Sequence, residues 1–476
     1  MNALLPKALA NLLAREPALE QAYLVGGCVR DWLLGVPVKD FDIEVFGVDE
    51  NRLITALQRW GRVNLVGRSF GVVKLTLDGQ THDFSLPRRD SKVAPGHQGF
   101  RIEFDPLISP RDAAARRDFT INSLMWSPGR QDLLDPFGGQ ADLRSRILRH
   151  TSAAFPEDPL RVLRGMQFAA RFRLTAAPET VALCRSIVGT YPELAQERVR
   201  EEWFKWASQS TEPSAGLRFL RDTGWVSAFP ELEALIGVEQ DPEWHPEGDV
   251  WTHTGHALEA LVTGTFWREA DRDTRVVLSL ATLAHDLGKP SCTRREIRDG
   301  RERIVSPGHE PAGGPLTETF LGRLNTPPAL VARIVPLVTN HLAHLAEPTP
   351  RSVRRLALRL TPATIEDLSA VITADASGRP PRPAGEPEGV ARLRGAAAEL
   401  ALAAAAPRPI LQGRHLLERG LKPGPGFTPI LSAAFEAQLD GAFADVDGAR
   451  AWLSNHLAES STPPDTAPET HPAPLP

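Results

Sequence analysis

Leu24-Val25-Gly26-Gly27-Cys28-Val29-Arg30-Asp31, followed a dozen residues on by Lys39-Asp40-Phe41-Asp42, is the stretch on which the reading of this chain turns. Ala22 to Val25 is a short apolar run that reads as a buried strand, and the glycine pair turns it into a helix running to about Leu34. Strand, Gly-Gly, helix lets backbone N–H groups approach a phosphate closely, and Arg30 adds a charge there. A glycine pair alone is more often just a tight turn. The carboxylates change that balance. Asp40 and Asp42 stand two apart on a second strand expected from Asp40 to Phe46, so both leave one face, where they repel unless cations lie between them. Two divalent ions relieve that repulsion and assist in-line attack on phosphorus. Third and fourth strands are expected over Val72 to Leu77 and Thr81 to Leu86. Asp83 then lies on a neighbouring strand as the third carboxylate of a triad, or else caps the preceding turn.

Working outward, 476 residues with 42% hydrophobic content exceed what one core usually holds. The α/β pattern is confined to roughly the first 150 residues. Beyond Asp158 the periodicity is helical almost throughout, with breaks at Pro178, Pro192, Pro213, Pro230 and Pro336. The expected fold class is α+β: a small mixed-sheet head, then an elongated all-helical neck, body and tail. Expected divisions are 1–150, 151–240, 241–380 and 381–458, with an unfolded Pro-rich end at 459–476. Linkers are expected at Gly378 to Pro383 and at Pro407-Arg408-Pro409.

The net charge of −5 carries no whole-chain signature of nucleic-acid binding. From Leu86 to Arg173, however, 15 Arg and Lys face 10 Asp and Glu, a local excess that suits a phosphate-rich ligand or a solvated basic face. Cys28, Cys184 and Cys292 are odd in number and far apart, which argues against a disulfide framework and a thiolate zinc site. No run approaches the roughly 18 apolar residues of a membrane span and no cleavable apolar leader is seen, so a cytoplasmic protein without membrane contact is expected.

A second constellation lies in the body. His253 is followed about thirty residues later by His285-Asp286, then His309, His341 and Asp375. Singly, each is an ordinary core or surface residue; together these borderline and hard ligands suit Mn, Ni, Fe or Mg rather than a structural zinc.

The string from Leu24 to Val45, with Arg116-Arg117-Asp118-Phe119-Thr120-Ile121-Asn122-Ser123-Leu124, resembles the class II tRNA nucleotidyltransferases (CCA-adding enzymes) and the related bacterial poly(A) polymerases. Asp135-Pro136-Phe137-Gly138-Gly139 resembles the family's hinge motif, Phe155 to Arg164 its base-selecting motif, and Glu197 to Glu202 its neck motif. The resemblance implies Mg2+ on Asp40 and Asp42, triphosphate at Gly26, Gly27 and Arg30, and ribose and phosphate contacts from Arg117, Asp118 and Asn122. It further implies that Asp158, Arg161 and Arg164 meet the base. Asp158 and Arg161 are expected at i, i+3 on one helix face, where a carboxylate and a guanidinium can read cytosine or adenine and reject uracil and guanine. A plain helix salt bridge is the alternative. Pro87, inside what is usually a strand, and the shifted preamble Arg111 to Arg116 depart from the family pattern. The first departure bears on Asp83 and Arg88; in the second the arginines remain.

The body resembles the HD-superfamily phosphohydrolase domain of some bacterial members. That implies ligands His253, His285, Asp286 and Asp375, with His309 and His341 at a second metal such as Ni2+ or Mn2+. The expected activity is addition of C and A from CTP and ATP to the tRNA 3′ end, with a second phosphohydrolase activity. A-only addition or poly(A) synthesis is the same-chemistry rival. A degenerate RNA-binding head on an HD phosphohydrolase is the rival of another class.

Overall fold

The structure is a computed structural model and describes residues 1–38, 40–65, 72–92 and 100–460. Lys39, part of the loop between Arg88 and Arg116, and the Pro-rich residues 461–476 lie outside them. The first helix, Lys7–Arg15, buries Leu9, Leu12 and Leu13 on one stripe against the head sheet. The sheet then forms from β1 (Ala22–Val25), β2 (Asp42–Val45), β3 (Arg62–Asn64), β4 (Val72–Leu77) and β5 (Gln80–Ser85). A separate hairpin of β6 (Arg88–Lys92) and β7 (Phe100–Phe104) intervenes before β8 (Met125–Ser127) and β9 (Asp132–Leu134) complete the sheet. Its order is β3-β4-β5-β2-β1-β8-β9, with β2 and β5 parallel and the other neighbours antiparallel.

β1 and β4 have the expected bounds, and β5 is displaced by one residue. β2 differs: it begins at Asp42, so Asp40 precedes the strand rather than sharing its face by pleat. The reason is the ladder. Leu24 pairs with Ile43, and beyond Val25 the chain turns away at Gly26, so residues before Asp42 have no neighbour on that side. Pro87 falls between β5 and β6, where its missing N–H costs no ladder bond.

Helices then dominate, as expected. Leu160–Phe172, Gln196–Gln209 and Pro213–Asp222 form the neck. Trp203 meets Phe229 at 5.0 Å and Phe320 at 5.6 Å between ring centroids, all three fully buried, and Ser279 donates to the Ala207 carbonyl at 2.7 Å. These contacts fuse neck to body, and one apolar core runs without a break from Leu5 to Leu402. The all-helical expectation for the body misses a hairpin, Arg294–Arg298 with Arg301–Val305. Its turn is Asp299-Gly300, both at positive φ, a two-residue signal that the sequence carries openly.

The C-terminal segment keeps its own small core of Leu411, Leu416, Ala434, Phe443, Ala449 and Leu453. Ion pairs from Arg351 and Arg355 to Asp440, and from Arg355 to Glu436, tie it to the body. Among the described residues no helix is long and apolar enough to cross a membrane.

Candidate functional site

The head and neck enclose a cleft of about 720 Å³. Gly26, Gly27, Arg30, Asp40, Asp42, Arg117, Asp118, Asn122, Asp158, Arg161 and Arg164 all line it, so the structure brings together every head residue singled out in sequence except Asp83. Gly26 sits at φ +69°, and a Cβ there would lie 2.9 Å from Arg117 Nη1. Only glycine fits both the turn and the guanidinium.

Asp42 opens the cleft floor. Burial pushes its carboxyl pKa up, Arg117 opposes the rise, and the charges of Asp83 and Asp40 add to it. Asp83 is the direct register partner of Asp42 across the parallel β2–β5 pair, so the two share a face of the sheet. It does not line the cleft, and its carboxylate takes two 3.0 Å hydrogen bonds from Lys74. Asp40 and Asp83 act on Asp42 by charge, and hard oxygen donors of this kind suit a divalent cation, but among the described residues the three carboxylates do not converge as closely as the ligand clusters of the body.

Around this floor the basic residues are already organised. Arg30 is buried; it donates to Asn122 Oδ1 at 2.6 Å and to Asp31 Oδ1, and stacks over Phe172 at 4.4 Å. It is therefore a buried strut as much as a charge facing the cleft. Arg117 reaches Glu44 at 3.1 Å, while burial lowers the pKa of nearby Arg116 to about 10, with Arg88 adding to the effect and Glu44 opposing it. Glu44 escaped the sequence reading although it follows Asp42 by two positions on the same strand. Burial alone would raise Asp118, but Arg164 at 2.7 Å and hydrogen bonds from Asn122 and the Phe119 N–H outweigh it and hold the carboxyl below its usual range.

The Asp158/Arg161 expectation needs correction. Asp158 is extended (φ −122°, ψ 95°) and precedes the helix, which starts at Leu160. The following Pro159 disfavours helical geometry at Asp158, so the two residues share a cleft but no helix face. Nor do they form the alternative salt bridge. Arg198 holds Asp158 at 2.8 Å, whereas Arg161 donates to the carbonyls of Ala154 at 2.7 Å and Arg116 at 2.6 Å. Arg198 lies in the neck motif, where the sequence marks no contact to Asp158. Glu202, the last residue of the neck motif, also lines the cleft with its partner Lys205, and so do Arg171 and Gln167, which no motif marks.

The body gathers the second constellation. His253 comes from helix Val250–Thr263, His285 and Asp286 from the end of Arg272–Ala284, and Asp375 from Ile365–Ser377. His309 opens helix His309–Arg323, and His341 follows Pro328–Thr339. Ligand atoms of His253, His285 and Asp375 lie within 4.8 Å of one another, as do those of Asp286, His309 and His341. All six side chains are buried. His285, His309 and His341 each set Nδ1 at 2.7 Å from a backbone carbonyl, which leaves Nε2 as the inward atom. His309 Nε2 then faces His341 Nε2 at 3.1 Å, and His285 Nε2 lies 3.1 Å from Asp286 Oδ2. Converging lone pairs of this kind fit a divalent transition metal. Glu247, not singled out in sequence, accepts from His253 Nδ1 at 2.7 Å and orients that ring. At Gly288 an added Cβ would meet the His309 carbonyl at 2.0 Å, so glycine is what lets the two ligand-bearing segments touch. Lys289 pairs with Asp286 and Arg379 with Asp375, both at 2.7 Å.

Among the described residues the three cysteines are free. Burial pushes the Cys28 thiol up to about 11, which disqualifies it as a nucleophile beside Asp42.

Residues 22–149 match the Poly A polymerase head domain family. The chain is 38% identical to the multifunctional CCA protein of Nitrosococcus oceani over 369 residues, covering 75% of this chain and 85% of that one. The corresponding protein of Methylococcus capsulatus is 38% identical, with 75% and 82% covered. Among solved structures, the CCA-adding enzyme of Bacillus stearothermophilus in complex with CTP superposes with a TM-score of 0.64 at 20% identity, covering 96% of this chain and 100% of that one. The Thermotoga maritima CCA-adding enzyme complexed with tRNA gives 0.55 at 20% identity, with 92% and 91% covered. At that identity the superpositions speak for the fold, whereas the 38% identity over 75% of its length decides the family: this chain belongs to the multifunctional CCA proteins.

Proposed function

We propose that the head cleft adds C and A from CTP and ATP to the 3′ end of tRNA, and that the body is a metal-dependent phosphohydrolase. One observation carries the first half: the carboxylates Asp40 and Asp42 share a cleft with Asp158, Arg161 and Arg198. The first pair supports phosphoryl transfer and the second group selects the base. CTP and tRNA are the ligands of the Bacillus stearothermophilus and Thermotoga maritima enzymes, and we extend them to this chain.

Divalent cations, magnesium in this reading, bound at Asp40 and Asp42 with Asp83 beside them, would offset carboxylate repulsion and lower the pKa of the incoming 3′-hydroxyl. The rest falls to the chain. Arg117 and Arg171 meet the triphosphate, and Arg30 holds Asn122 and Asp31 in place. Asp158 accepts from the exocyclic amine of cytosine or adenine; uracil and guanine present a carbonyl there and are repelled. Because Arg161 is engaged with two carbonyls, it reads the adjacent ring nitrogen only by giving one of them up.

The test is stepwise incorporation on tRNA lacking CCA, with each nucleotide supplied singly and together. Addition of C, C and then A is expected, and it should disappear in the double variant Asp40→Ala/Asp42→Ala. Long adenosine tails without cytidine would instead favour poly(A) synthesis.

The second half rests on the six buried ligands of the body. A metal such as Ni2+ or Mn2+ held there would polarise a phosphoester, while Lys289 and Arg379 stand close enough to neutralise its charge. Substrates in this reading are 2′,3′-cyclic phosphates and 2′-nucleotides of damaged tRNA ends. Titration with Ni2+ or Mn2+ should raise Tm and support hydrolysis of a 2′-nucleotide, and His285→Ala should abolish both effects.

A further inference from the structure

The carboxylates of the head border two cavities, not one. Besides the cleft that holds Asp158 and Arg161, a second of about 680 Å³ adjoins it and shares Gly27, Asp40, Asp42, Arg171 and Gln209 with it. Its far wall comes from the body: Arg272 and Arg275, at the start of helix Arg272–Ala284. That helix is fixed in place, since it packs on neck helix Gln196–Gln209 through the buried Ser279–Ala207 hydrogen bond. The cavity lacks the Asp158, Arg161 and Arg164 set that lines the first. Between its walls lie the apolar Val36, Pro37 and Val38, the polar Ser208 and Gln209, the acidic Asp31 and the basic Arg171.

An in-line transfer has two substrates, which must approach the reacting phosphorus from opposite sides. If the nucleotide takes the cavity with the base-reading residues, the attacking strand needs the other. Resting on the transferase reading above, we propose that this second cavity receives the terminal phosphodiester of the acceptor RNA strand and that Arg272, a body residue, is one of its contacts.

Charge and packing support this. Asp31 is already satisfied by Arg30 at 2.6 Å, and cations at Asp40 and Asp42 would neutralise the other acids, leaving the arginine wall in excess. Arg275 is committed locally: it lies 4.8 Å over the Trp267 ring and donates to the Trp267 carbonyl. Arg272 is different. Its partner is Glu201 at 3.2 Å, and both side chains are about half exposed, 53% and 47%. An exposed pair of this kind is worth little and gives way to a phosphate. Arg272 is thus a positioning residue for the acceptor, supplied by the domain that carries the other metal constellation.

The experiment uses the full chain with a tRNA transcript ending before CCA, and reads KM and kcat for CMP incorporation. Arg272→Ala should raise the KM for tRNA several-fold and Arg272→Glu more, with the KM for CTP and the Tm unchanged. Arg272→Lys should recover most of the loss. The slope of log(kcat/KM) against log salt should become shallower by about one in Arg272→Ala. Glu201→Ala is the control, because it breaks the same ion pair from the other side yet should leave the tRNA KM unaltered or lower. An unchanged tRNA KM in Arg272→Glu would overturn the proposal. So would an equal rise in Glu201→Ala, which would make the pair a mere strap, or a rise in the KM for CTP, which would assign the cavity to the triphosphate. Failure of the unmodified chain to add cytidine is a separate outcome that removes the transferase reading itself and this proposal with it.

Discussion

Two aspartates of the head cleft are tuned in opposite directions, and pH tells them apart. The Asp42 carboxyl is raised chiefly by desolvation on the cleft floor, although the residue stays exposed to solvent and the shift is screened accordingly, so the folded chain binds its proton more tightly than the unfolded chain does. Ionisation at Asp42 therefore works against the fold at neutral pH, and the penalty fades as pH falls through the raised folded value and is gone below the unfolded value of about 3.9. Asp42→Asn should abolish nucleotide transfer yet raise Tm at pH 7 in the presence of a chelator, with the difference vanishing near pH 4; a drop in Tm at pH 7 would contradict it. Asp118 is the reverse case. Burial would raise it, but Arg164 and its hydrogen bonds win, so its contribution is present above the unfolded value and is lost as pH falls through the depressed one. Asp118→Asn should cost about 2 kcal/mol at pH 7 by denaturant unfolding. The loss stays moderate because Arg164 keeps 34% of its side chain exposed, and it should shrink on acidification. The identities of these residues were legible in the sequence because their motifs carry them. Their partners were not: Arg198 on Asp158, Glu44 on Arg117 and Glu247 on His253 are set by tertiary packing across separate elements.

Among elements, those legible in sequence were the ones with a strong local signal. β1 and β4 carry continuous or alternating apolar residues and fall where expected, whereas β3, β8 and β9 are three residues each, too short for any period to show. Two errors had signals that were passed over. Pro159 forbids the helix from reaching back to Asp158, and Asp299-Gly300 announces the body's hairpin. The junction of β1 with helix Gly27–Leu33 is the element on which the cleft depends most directly. Gly26→Ala must place a Cβ at φ +69° and against Arg117, a cost of about 1–3 kcal/mol. It should lower Tm and weaken CTP binding in equilibrium titration, while hydrolysis by the body, measured on a 2′-nucleotide, stays unchanged.

For the molecule as a whole, the division into a mixed head and a helical remainder was readable from periodicity, but the extent of shared core was not, since it depends on which faces meet. The C-terminal segment is the exception to that sharing. Its six buried residues form a separate cluster, and its ties to the body include exposed arginine–carboxylate pairs. Deleting residues from Pro409 onward should weaken tRNA binding, measured by filter retention, while leaving CTP affinity and the main unfolding transition intact; undiminished tRNA affinity would exclude the segment as an RNA contact. The uninterrupted core from Leu5 to Leu402 has a consequence for inheritance. Trp203 of the neck leans on Phe320 of the body, so a lesion chosen for its effect on one chemistry can melt the scaffold of the other. Temperature-sensitive alleles mapping to the body, far from any nucleotide, would then surface as cells short of mature tRNA ends, and complementation by the isolated halves of the gene would fail.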